Sequence, residues 1–152
     1  MVRSFCPPGA VCAVLALLTP APVLAHSLSL TLWPSDDPET VRRCAVHLDA
    51  GRMRVVQAQG PGVGERVAVW APTSGEEAVL MAALAAFVAG DLPSVGPTDP
   101  AQPAPPFVTV NWITRLDGQV LAGRSVAPGL DLPPVLAAVV ARLMPGSLCD
   151  LG

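Results

Sequence analysis

The chain of 152 residues has no lysine, and all nine of its cations are arginine. Without a lysine amine there is no Schiff-base nucleophile. Histidine is almost as scarce, with only His26 and His47. A serine hydrolase would have a single internal base and no Gly-x-Ser-x-Gly elbow to work with. The cysteines show no Cys-x-x-Cys spacing, so neither a redox dithiol nor a zinc site can be read from them. No glycine-rich loop joins a strand to a helix, and so there is no nucleotide signal. Long apolar runs are missing too. Segments 10–18 and 78–89 both fall short of the roughly 20 residues that cross a bilayer as a helix. Acidic groups do occur in clusters, at Asp36-Asp37-Glu39 and Glu76-Glu77. The first reads as a polar turn and the second as a helix start favoured by the helix dipole, so neither is assigned acid/base roles.

What is present begins with an export signal. Residues 1–25 carry one cation, Arg3, then the apolar run, then Thr19-Pro20-Ala21-Pro22 and the small-residue exit Val23-Leu24-Ala25. Cleavage is expected after Ala25, leaving a mature chain that begins at His26. Residues 26–152 then form one domain, large enough to bury a core. Eight arginines face twelve carboxylates in that segment, a net charge of −4, and along the chain the cations are scattered. Nucleic acid is not an expected partner. The arginine-only cation set, with abundant Ala, Pro, Gly and Val, fits a GC-rich bacterial coding bias. The expected location is the periplasm or the medium, with no stable membrane anchor.

Cys6 and Cys12 leave with the signal, and neither sits in a lipobox. Cys44 and Cys149 remain, and in an oxidising compartment such a pair is expected to form a disulfide pinning the C-terminal tail to an early strand.

Strict alternation in 27–33 puts Leu28, Leu30 and Leu32 on one face of a strand. Segment 43–48 alternates again, with Cys44, Val46 and Leu48 on one side and His47 on the other. Asp49-Ala50-Gly51 turns the chain into a third strand, 53–58, and a fourth follows at 66–70. Ser74 and Glu77 have capping-box spacing before an apolar run, which predicts a helix ending at Gly90. Residues 92–106 hold six prolines, Pro93, Pro97, Pro100, Pro103, Pro105 and Pro106, and read as an extended, hydrogen-bond-poor connection and a candidate binding loop. Segments 107–114 and 119–126 form a hairpin with Val108, Val110 and Trp112 on one face. A second helix follows, with Asp131 as its cap, Pro133 and Pro134 in its first turn and Pro145-Gly146 as its stop. The fold class is α+β: a two-layer sandwich with an antiparallel sheet of about five or six strands and two helices on one face.

Three functional readings follow. The first is a non-enzymatic binding or accessory protein whose partner is another envelope or extracellular protein. The second is copper binding. A free amine at His26 and its own imidazole can chelate one copper ion, and His47 would complete a T-shaped brace. The third rests on a resemblance. The strand Arg43-Cys44-Ala45-Val46, the helix end Ala85-Ala86-Phe87-Val88-Ala89-Gly90-Asp91-Leu92 and the strand Val108-Thr109-Val110 are similar in order to the subtilisin-inhibitor family, where a Cys-bearing strand precedes a helix, an exposed reactive loop and a hairpin. The resemblance implies a protease inhibitor presenting the 92–106 loop. The disulfide that braces that family's loop has no counterpart here. The three tryptophans, Trp33, Trp70 and Trp112, all fall on strands and are expected to pack in the core or at a sheet edge.

Overall fold

The computed structural model describes residues 26–62, 64–92 and 104–150. The expected signal peptide at 1–25 lies outside them, as do Pro93, Pro97, Pro100 and Pro103 of the proline-rich connection. Six strands form one antiparallel sheet: β1 (His26–Trp33), β2 (Arg42–Asp49), β3 (Arg52–Gln59), β4 (Arg66–Trp70), β5 (Phe107–Leu116) and β6 (Gln119–Pro128). Their order is β4-β3-β2-β1-β5-β6, so the first strand of the chain ends up in the middle. Two helices, α1 (Ser74–Ala89) and α2 (Pro134–Leu143), complete the α+β sandwich.

Side chains directly opposite one another in an antiparallel pair share a face. The register sets Leu28 against Val46 and Trp112, and Leu30 against Cys44 and Val110. Every strand residue in the buried cluster that holds Leu80, Leu84 and Phe87 of α1 and Leu136, Val139 and Leu143 of α2 stands on this face. The alternation read from 27–33, 43–48 and 107–114 is the pattern of that core.

Both tight hairpins use two-residue turns with positive φ at each position. In the β2–β3 turn these are Ala50 (47°) and Gly51 (73°), and in the β5–β6 turn Asp117 (48°) and Gly118 (80°). This geometry matches the right-handed twist of the strands, and Gly and Asp enter it at low cost. Helix α1 is capped one residue earlier than the sequence suggested. The extended Thr73, rather than Ser74, is the N-cap; it accepts from the Glu76 amide while Glu76 accepts from the Thr73 amide at 2.7 Å. The stretch Thr73-Ser74-Gly75-Glu76-Glu77 contains two overlapping boxes of the same spacing, and the earlier one is used. At the other end Gly90 takes the left-handed conformation and closes the helix. In α2 the N-cap is Pro133, without a side-chain bond, and Asp131 stands two residues outside it. Proline at the start supplies the fixed φ that the first turn needs, so no carboxylate cap is required.

Cys44 and Cys149 are joined, with Cα atoms 6.1 Å apart and a sequence separation of 105, and both are fully buried. Trp112 stacks on Phe87 of α1 at 5.8 Å between ring centroids. Its neighbour across the hairpin is Gly123, and a Cβ there would lie 2.6 Å from the indole. Glycine is required at this position because the indole occupies the side-chain space.

Two outcomes are expected in denaturant titrations. Replacing both Cys44 and Cys149 by Ala lowers stability by about 4–5 kcal/mol, since the unfolded chain regains the freedom of a loop of this length. Gly123→Ala costs about 1–3 kcal/mol through overpacking against Trp112, whereas Ala122→Gly on the opposite face costs less than that.

Candidate functional site

His26 and His47 are near in the sheet but do not meet. In the register His26 faces Leu48, while His47 faces Ser27 on one side and Arg54 on the other. His26 therefore belongs to the face of Leu28 and Leu30, and His47 to the opposite one. The His26 Nδ1 is 2.9 Å from the Thr114 hydroxyl on β5, which shares its face. The brace drawn from the sequence needs both imidazoles on one copper ion, whereas in the sheet they stand on opposite faces. The signal was already in the sequence, because His26 lies two residues before Leu28 and so shares its side of the strand. Among the described residues no group of three or more His, Cys, Asp or Glu is placed to hold a metal ion.

His47 is half-buried, and that burial, with the adjacent Arg54 guanidinium, holds its pKa below the ordinary histidine value. The acidic pair Glu76-Glu77 has the structural role expected of it. Glu76 is the reciprocal partner of Thr73, and its hydrogen bonds from the Thr73 amide and hydroxyl keep its carboxyl below the usual range.

Two depressions flank α2. One lies between the end of α1, the β5–β6 hairpin and the start of α2, lined by Phe87, Leu92, Val110, Ser125 and Leu136, and its free space is only about 10 Å³. That is room for about one water molecule. The buried Ser125 hydroxyl that lines it has no hydrogen-bond partner among the described residues. The other, about 200 Å³, is a shallow groove beside Leu130, Leu132, Val140, Cys149 and Asp150. Asp131 also lines the smaller one, and no hydrogen bond joins it to Ser125 among the described residues.

The long connection between α1 and β5 is held at both ends. Leu92 is 6% exposed and belongs to the core cluster. At the far end Phe107 is 3% exposed and stacks on Trp33 at 5.5 Å, nearly parallel. The Pro106 carbonyl accepts from the Gly129 amide at 2.8 Å. Pro105 and Pro106, joined by a cis bond, are the two candidate-loop prolines that fall within the described residues. Trp70 and Trp112 pack against the core, and Trp33 stands on the opposite face, so the packing expectation holds for two and the third anchors the connection.

No family model matches the chain, and no curated protein or solved structure is significantly similar to it.

The lowered pKa of His47 gives stability a definite pH dependence. The unfolded chain takes up a proton near the ordinary value of about 6.5, which the folded state resists. Stability is therefore full above that value and is lost as pH falls through the lowered one. His47→Gln should flatten this part of the curve in urea titrations run from neutral to mildly acidic pH; an unchanged slope would assign it to another group.

Proposed function

We propose that the chain is an exported binding module that acts by contact with another envelope or extracellular protein, with no catalytic step of its own. The observation that carries this reading is the seating of both ends of the 92–106 connection in a disulfide-tied body. Leu92 is buried at one end, and Phe107 and Pro106 are fixed at the other. Fixed ends lower the entropy that any segment between them loses on binding, which favours affinity. The buried Cys44–Cys149 bridge supports the exported setting, since structural disulfides persist in oxidising compartments. Among the described residues no helix is long and apolar enough to cross a membrane.

The same two-ended anchorage favours a sharper second reading, in which 92–106 is presented to a protease cleft. An extended segment that keeps its ends fixed can occupy such a cleft and be cut slowly. The residues from Pro93 to Pro103 would make that contact.

The two readings separate in one experiment. The exported protein is incubated with a subtilisin-like protease, and both residual protease activity and intact mass are followed. Inhibition with slow cleavage inside 92–106 supports the inhibitor. Rapid nicking there without inhibition eliminates it and leaves the general binding module. For that module, cross-linking in the exporting cells should recover one protein whose capture is lost when 94–102 is replaced by a Gly/Ser segment of equal length. Capture that survives the replacement would place the contact elsewhere and sink this reading of the connection.

A further inference from the structure

The cations that look scattered along the chain are gathered by the fold. The register places Arg43, Arg52, Arg54, Arg115 and Arg124 on the face of the sheet opposite the buried cluster, all exposed. Asp49 is the sole carboxylate within the six strands. The remaining acids lie in turns, loops and helices. An acidic protein thus has one face with five arginines, a histidine and one aspartate. The same face carries Val67 (50% exposed), Val69, Ile113 and Val120, four of its most exposed large apolar residues. Among the described residues no member of the core cluster lies on this side, and its one covered end is at Phe107 and Thr109, which are buried, while the five arginines are not.

We propose that the exposed part of this face docks on an anionic phospholipid surface, with arginines on lipid phosphates and the valines and isoleucine beside them at the headgroup level. This is independent of the protein partner argued above and uses a different part of the molecule. Charge complementarity selects the occupant. Two copies pressed face to face would set arginine against arginine, which excludes self-pairing of this face. The arginines stand on β2, β3, β5 and β6, so in the sheet they reach from β3 to β6, roughly 20 Å at the usual strand spacing. A continuous layer of phosphates matches such a spread better than a local acidic patch does, and the planar guanidinium suits phosphate. The carboxylates of α1 lie a helix layer away, roughly 10 Å, about one Debye length at physiological salt, and oppose the contact weakly. Binding of this kind is reversible and needs no spanning helix.

The test is co-sedimentation of the mature chain with vesicles of pure phosphatidylglycerol and of pure phosphatidylcholine, across a range of salt. The expected result is partition onto phosphatidylglycerol alone, weakening as salt rises. Arg43→Gln with Arg54→Gln and Arg124→Gln should reduce it about a hundredfold, and Arg142→Gln on α2 should leave it unchanged. Three results overturn the proposal: no partition onto phosphatidylglycerol at low salt, equal partition onto both lipids, or equal loss in the Arg142 variant. Binding to polyglutamate without binding to vesicles would also overturn it, in favour of an acidic protein. A triple variant that failed to fold would leave the salt and lipid comparison of the unaltered chain to decide.

Discussion

Successive side chains in a strand leave opposite faces, so the registers of β1 with β2 and with β5 divide six strands into a face that carries the core and one that carries the arginines. Leu28, Leu30 and Leu32 are fully buried because of that division. The same division sends His26 inward and His47 outward, and it collects five arginines on the side away from the core. A slip of one residue in any of these pairings would exchange the faces, exposing leucines and burying guanidinium groups. The strength of the core is thus also what fixes the charge of the outer surface.

The helical layer depends on the sheet in a different way. Helix α1 is apolar on nearly all sides, so its own sequence does not select one face. Position is set instead by what it meets: Phe87 on Trp112, and Trp112 on the open space above Gly123. Helix α2 is held by Leu136, Val139, Val140 and Leu143 and by the bridge that follows it, Cys149 to Cys44. The bridge ties the last described turn to a central strand, so the short tail after α2 cannot part from the sheet without the strand moving too.

Much of this was legible in the residue order. The period-two strands, both hairpin turns, the two helices and the Cys44–Cys149 pairing follow from local pattern and from cysteine count. The helix starts were less legible. Thr73 and Ser74 offer equivalent caps, and Asp131 looks like a cap until Pro133 takes its place. What local pattern could not supply was adjacency between distant strands. That β1 lies beside β5 depends on the whole packing, and without it neither the Trp33–Phe107 stack nor the His26–Thr114 contact could be drawn. The arginine face escaped for the same reason: Arg43, Arg54 and Arg124 are far apart in sequence and share a side only through registers passing along five strands. The candidate functional residues fared unevenly, since the disulfide pair meets, the histidines do not, and most of the proline-rich connection lies outside the described residues.

The placement of β1 at the centre of the sheet has a consequence for the order of assembly. Its pairing with β2 closes a short loop and can form early, whereas its pairing with β5 joins Trp33 to Phe107, across β2, β3, β4, α1 and the proline-rich segment. Pairings of such separation are slow, because chain entropy must be spent before any contact offsets it. While the chain emerges, β1 therefore waits with one row of amides and carbonyls open. For that interval its unpaired side is a template for any passing strand. The alternating Ser27, Ser29 and Thr31 make one flank of this temporary edge polar, which limits its attraction for apolar strands until β5 arrives.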